Sequence, residues 1–283
     1  MTDTSVKKVV IVDLENKISE TKSFTDLNPY FGGTGVGLKL LEIYHDKNPL
    51  IFSVGPLNGF FPFASKTSVV LDNNGAIEDI YIGGNLSTRI RFAGIDSILF
   101  HGRSADETII ELQNTDVLFH AKDTDIQSLG LPGKRSHMYI NKDKLQADGY
   151  FTTPDLYLEN ALLDRNIVGL SITGTETYTV DNFEDYKKLY ENIMEMSDDL
   201  RVIKEGYPSC SNCPMGCNRS KVGEIGGNVV INSLVACQFA DRIYTDIGMV
   251  FSCLNTLGYN YTHEDIENLP KLIEETIKKI SEL

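Results

Sequence analysis

The chain has 283 residues, 41% of them hydrophobic, with a mean hydropathy of −0.16 and a formal net charge of −14. This is a globular rather than a disordered composition, long enough for one large domain or two smaller ones, with no apolar run of membrane-spanning length. The acidic balance excludes duplex nucleic acid as a partner, because a duplex binder needs a basic patch to displace counterions, and Lys7-Lys8 and Lys278-Lys279 are only pairs.

The amino-terminal residues lead into Val9-Val-Ile-Val12 and Asp13. That apolar run is too short for a signal-peptide core and reads as a strand, which makes the cytoplasm the default compartment. Gly33-Thr-Gly35-Val-Gly37 opens a helix expected over Gly37–His45, with Leu38, Leu41 and Tyr44 on one face. It lacks the G-x-G-x-x-G spacing of a dinucleotide loop, so a glycine-rich helix start is the favoured reading over a phosphate loop. Strands are expected at Leu50–Val54 and at Thr67–Leu71, the latter ending in the turn Asp72-Asn-Asn-Gly75, and again at Ile95–Phe100 and Glu107–Leu112. The stretch from 120 to 151 reads as loop with short strands, and Ile167–Ile172 as a last strand.

From Asp181 the period changes. Phe183, Tyr186, Leu189, Ile193, Met196 and Leu200 recur at helical spacing, with Asp181 as the expected N-cap and Glu184 at the third helical position. A continuous helix is expected from Ser233 to Leu257, ending at Gly258, and a last one from His263 to Leu283 that Pro270 kinks or breaks. The fold class is therefore α+β, with a β-rich domain over 1–178 and an α-helical domain over 179–283.

The densest chemical signal is Cys210-Ser-Asn-Cys213-Pro-Met-Gly-Cys217-Asn-Arg219, with Cys237 twenty residues on and able to close a set of four. C-x2-C-x3-C gathers three thiolates around one small object. Iron–sulfur clusters take cysteine thiolates, usually four. Structural zinc prefers two separated C-x2-C pairs, and the second pair is missing. Pro214 and Gly216 let the loop fold over a cubane and aim N–H groups at its sulfurs. A [4Fe-4S] cluster is the first reading and zinc the second, with three reduced thiols in a tight turn as the bland alternative. Five cysteines, odd in number and mostly clustered, do not make a disulfide framework. The five histidines are scattered, and Cys253 reads as a buried thiol, in reserve should Cys237 not serve.

The cysteine motif resembles that of the aldehyde ferredoxin oxidoreductase family, tungsten- or molybdenum-pterin enzymes with one [4Fe-4S] cluster. Blocks in the same order support the resemblance: Phe31-Gly-Gly-Thr-Gly-Val-Gly-Leu38, Asn48-Pro-Leu-Ile-Phe-Ser-Val-Gly-Pro-Leu-Asn-Gly59, Gly83-Gly84, Arg91-Phe-Ala-Gly-Ile-Asp96 and His101-Gly102. It covers about 1–105 well and 205–265 in part, and most of the family's middle helical region is missing. The resemblance implies an N-terminal β platform for two pterins, with Lys66, Gly83, Gly84 and Asn85 as cofactor-binding residues. It makes Cys210, Cys213, Cys217 and Cys237 the cluster ligands. The family's arginine falls at Lys66, which loses the guanidinium fork. Its Asp-x-x-Gly-Leu-Asp/Cys loop falls at Asn232-x-x-Val235-Ala-Cys237, so both the acid and the glycine have changed. Its pocket glutamate and histidine fall in the missing region, so no catalytic acid or base is carried over.

Three functions follow. The first is oxidation of a small aldehyde to a carboxylic acid at a tungsten or molybdenum bis-pterin, electrons leaving through the cluster. The second is a non-catalytic [4Fe-4S] electron-transfer or assembly subunit. The third is a zinc-stabilised interaction module. The first two imply ferredoxin or another redox subunit as partner and admit a homo- or hetero-oligomer; none calls for nucleic acid or a membrane.

Overall fold

The computed structural model describes residues 3–141, 144–149, 157–196, 228–237 and 241–283. The first part alternates strands and short helices: β1 (Lys7–Asp13), β2 (Ile18–Phe24), α1 (Gly33–Ile43), β3 (Leu50–Ser53), β4 (Thr67–Asn73), β5 (Ala76–Ile82), α2 (Leu86–Phe92) and β6 (Ser97–His101). Then come β7 (Thr108–Gln113), β8 (Asp116–Ala121), β9 (Arg135–Asn141), β10 (Lys144–Ala147), α3 (Tyr157–Leu163) and β11 (Ile167–Thr173). Helices follow: α4 (Phe183–Met196), α5 (Val229–Leu234), α6 (Asp241–Tyr244), α7 (Ile247–Thr256) and α8 (His263–Ser281). The chain is thus α+β, as its residues imply.

Six strands form one sheet in the order β2-β1-β6-β3-β4-β5, and five form a second, β10-β9-β11-β7-β8. β1 lies parallel to β6 in the first sheet, and β11 parallel to β7 in the second; the other pairs are antiparallel. The continuous apolar run Val9–Val12 follows from burial on both faces of β1. Val9 and Ile11 enter a core shared with α1, α5, α7 and α8, whereas Val10 and Val12 enter a core shared with the second sheet, α2 and α3. The six-stranded sheet is therefore a middle layer, with the C-terminal helices on one side and the second sheet on the other.

Local chemistry sets the boundaries. Asn74 (φ 55°) and Gly75 (φ 88°) make the two-residue turn joining β4 to β5, and Asp72 Oδ1 accepts the Gly75 N–H at 2.6 Å. β4 therefore runs through Asp72 and Asn73, which pair with Ile77 and Ala76. α1 begins at Gly33, four residues before its apolar periodicity suggests. A Cβ on Gly35 would lie 2.4 Å from the Tyr30 carbonyl, and one on Gly37 would lie 2.6 Å from Val70 Cγ2. These glycines serve close packing of a helix start.

Four expectations are corrected. Asn182, not Asp181, caps α4: its Oδ1 accepts the Asp185 N–H at 3.3 Å and its amide pairs with the Asp185 carboxylate. Glu184 therefore sits one position earlier than expected. The helix expected from Ser233 to Leu257 is divided, because Val235 turns into the left-handed region (φ 53°, ψ 40°) and ends α5. Pro270 leaves α8 unbroken, lying exposed within a helix started by a capping box between Thr262 and Asp265. The polar edge strand β2 escaped notice, since all its residues except Phe24 are exposed. Gly258 (φ 83°) does follow α7 as expected.

Candidate functional site

The site is built where β4 and β5 leave the sheet. Their ladder ends at Thr67 paired with Ile82, so Lys66 and Gly83 are the next residues out on each strand. The segment 235–237 runs beside that end. The Lys66 N–H donates to the Val235 carbonyl at 3.2 Å, and the Cys237 N–H donates to the Phe63 carbonyl at 2.7 Å. The structure thus brings Lys66, Gly83, Gly84, Asn85 and Cys237 to one end of the platform. Cys210, Cys213 and Cys217 lie outside the described residues.

The turn that presents Cys237 is closed by a Schellman pair. The Ala236 N–H reaches the Ile231 carbonyl at 2.9 Å, and the Val235 N–H reaches the Asn232 carbonyl at 3.2 Å. Glycine is the usual residue at this left-handed position, and a β-branched side chain there costs on the order of 1–2 kcal/mol. The Val235 side chain is fully buried, and packing offsets the strain. A Cβ on Gly33 would meet the Asn232 carbonyl at 2.4 Å, and one on Gly55 would meet the Leu234 carbonyl at 2.0 Å. Two glycines of the first part thus let α5 sit directly on the platform backbone.

The two remaining cysteines differ. Cys237 is partly exposed. Cys253 is fully buried in the apolar core of α7, and burial pushes its thiol up to about 12, far from the thiolate a metal needs. Cys237 is thus the more accessible thiol of the two.

The residues expected to hold a pterin are largely covered. Lys66 is 2% exposed, Gly83 and Gly84 are buried, and the Asn85 N–H donates to Asp148 Oδ2 at 3.1 Å. Asp148 is itself held by Ser136 Oγ and the His137 N–H, both on β9. Gly84 takes φ 89°, which explains glycine there. With these residues covered, the edge as it stands does not fit a pterin.

Beside this edge lies a half-buried acid that the residue patterns did not reveal. Asp79 accepts from Thr34 Oγ1 at 2.6 Å, from Ser68 Oγ at 2.9 Å and from the Tyr81 hydroxyl. Thr34 Oγ1 also lies 3.4 Å from the Asn232 carbonyl, tying the cluster to α5. Burial raises the Asp79 carboxyl above its ordinary range, while the three hydroxyls oppose the shift. A lone aspartate among Ile77, Ile80 and Tyr81 carries no spacing signal, so only the fold exposes this cluster.

Comparison with known proteins agrees with this architecture. Residues 9–143 match the family model of the aldehyde ferredoxin oxidoreductase N-terminal domain. No curated protein matches the chain. Among solved structures, a chain of the active-site complex BamBC of benzoyl coenzyme A reductase, in complex with 1,5-dienoyl-CoA, is similar in fold, with a TM-score of 0.58 and 18% identity. The match covers 73% of the present chain, which spans 36% of that chain's length. Over residues 9–143, the chain is thus similar to the N-terminal domain of the aldehyde ferredoxin oxidoreductase family.

Proposed function

We propose that this chain is a redox protein of the aldehyde ferredoxin oxidoreductase type whose working centre is a [4Fe-4S] cluster held by Cys210, Cys213, Cys217 and Cys237. The observation that carries the reading is the pair of backbone hydrogen bonds fixing 235–237 to 63–66. They hold Cys237, the more exposed of the two ligand candidates among the described residues, at the edge of the β platform. When bound, the cluster supplies one-electron transfer. The chain's own contribution is to fix the Cys237 backbone through Phe63, to close the turn through Ala236 and Val235, and to stand Lys66 one strand end away.

Electron transfer or assembly within a larger complex is the best-supported role, because the platform edge is covered by the protein itself. Ferredoxin or another redox subunit is the partner class that such a cluster serves. Aldehyde oxidation is the second reading, supported by the family of residues 9–143. In it Lys66, Gly83, Gly84 and Asn85 meet a tungsten or molybdenum bis-pterin after the edge opens. Elemental analysis of anaerobically purified protein divides the readings. About four irons per chain with acid-labile sulfide and neither heavy metal supports the carrier. The same iron with stoichiometric tungsten or molybdenum supports the enzyme, and Lys66→Met should then release pterin while leaving iron in place. Zinc without iron or sulfide overturns both and leaves an interaction module.

A further inference from the structure

A cavity of about 320 Å³ lies between the extended segment 178–182 that precedes α4 and the end of α7. Its wall includes Phe60, Arg91, Tyr178, Asp181, Thr256 and Tyr259. The volume is that of a small-molecule site. Phe60, Tyr178 and Tyr259 form its aromatic side, beside the polar Thr179, Asn182 and Asn255. Phe60 and Tyr178 meet edge to face at 5.7 Å, and the Tyr178 hydroxyl is anchored on the Arg91 carbonyl at 2.6 Å.

The charges behind this wall do not balance. Arg91 is 3% exposed, donating to Asp96 Oδ1 at 3.0 Å and to the Gly55 carbonyl at 2.7 Å. Its Nε is a buried donor with no partner among the described residues. Lys7, 1% exposed, holds its ammonium 4.9 Å from the Tyr259 ring centroid. Burial lowers Lys7 to about 8, against the pull of Asp96, so it is still largely charged at neutral pH. Two buried cations thus share one buried carboxylate, whose second oxygen is taken by the Lys8 N–H at 2.9 Å. A buried charge seeks a counter-charge, and an unsatisfied buried donor is costly. Asp181 is exposed at the mouth, where water screens it.

We propose that this cavity binds a small aromatic monocarboxylate, its ring against Phe60 and Tyr178 and its carboxylate toward the Arg91 end. An inorganic anion would leave the aromatic wall unused, and a neutral ring would leave the surplus cation unanswered. The proposal is independent of the cluster.

The test is calorimetric titration of the full chain with benzoate and with its neutral isostere benzamide. Benzoate should bind saturably at one site and benzamide at least about tenfold more weakly, the worth of one charge-assisted contact. Thr256→Phe, which fills the cavity from the end of α7, should abolish benzoate binding with the far-ultraviolet spectrum unchanged. Asp181→Asn should tighten it by a factor of about two to five by removing the like charge at the mouth. Equal binding of benzamide, non-saturable benzoate, or wild-type binding by folded Thr256→Phe overturns the assignment. Should Thr256→Phe not fold, the benzamide comparison and the sign of the Asp181→Asn effect decide it.

Discussion

The Cys237 N–H donates to the Phe63 carbonyl at 2.7 Å, and this bond joins the helical part of the chain to the β platform at the point where a cluster ligand is expected. It depends on α5 lying close enough to touch the platform backbone. Gly55 allows that approach, since a Cβ there would come within 2.0 Å of the Leu234 carbonyl. Backbone cannot give way as a flexible side chain can. Gly55→Ala is therefore expected to destabilise the fold by about 1–3 kcal/mol and to lower iron content together with stability. Urea denaturation and iron assay of the same preparation check this; wild-type values for both would show that α5 does not seat Cys237.

The half-buried carboxyl of Asp79 gives a signed pH dependence. Burial raises its folded value above 3.8, so the folded chain keeps this proton to higher pH than the unfolded chain does. Its stabilising contribution is complete below about pH 3.8 and fades as pH rises through the raised folded value. Asp79→Asn removes the titration, so the variant should match or exceed wild type at pH 7 and lose that advantage near pH 3. Tyr81→Phe instead removes a donor from this half-buried acid and should cost about 1–3 kcal/mol. Thermal unfolding across the pH range gives both numbers, and an unchanged pH profile for Asp79→Asn would reject the network as a linked site.

His137 makes the opposite kind of prediction. It is 6% exposed, and neither ring nitrogen has a partner among the described residues. Its cross-strand neighbour Ser171 is fully buried with an unpartnered Oγ. Burial, aided by Arg135, lowers the imidazole below 6.5. The neutral ring is tolerated above that value, and stability is lost as pH falls from about 6.5 through the lowered folded value. His137→Leu gives up no protein hydrogen bond, so it should fold within about 1 kcal/mol of wild type and flatten the acid limb. A larger loss, measured by denaturation at pH 7.5, would show that the ring nitrogens hold something that leucine cannot.

Much of the architecture was legible because burial leaves periodic marks. The runs Val9–Val12 and Thr67–Leu71 record strands with buried faces, and Asp72-Asn-Asn-Gly75 records a turn that needs left-handed residues. β2 left no such mark, since an exposed edge strand has no apolar face to write. The break at Val235 was hidden because valine is among the poorest residues for the left-handed region, and only packing beneath α5 overrides that preference. The platform residues stand out through family resemblance, whereas the hydroxyl of Thr34 on Asp79 and the ring of Tyr259 under Lys7 come from distant parts of the sequence. Thr34 reaches Asp79 across 45 positions, a pairing that the fold alone creates.

The central claim is that Cys237 completes a cluster with Cys210, Cys213 and Cys217. Its most direct test is the brown charge-transfer absorbance and iron content of anaerobically purified Cys237→Ala and Cys253→Ala beside wild type. The account predicts bleaching and loss of iron in Cys237→Ala, with Cys253→Ala keeping both and losing only about 1 kcal/mol of core packing. Full colour and iron in Cys237→Ala, or bleaching in Cys253→Ala alone, would contradict it.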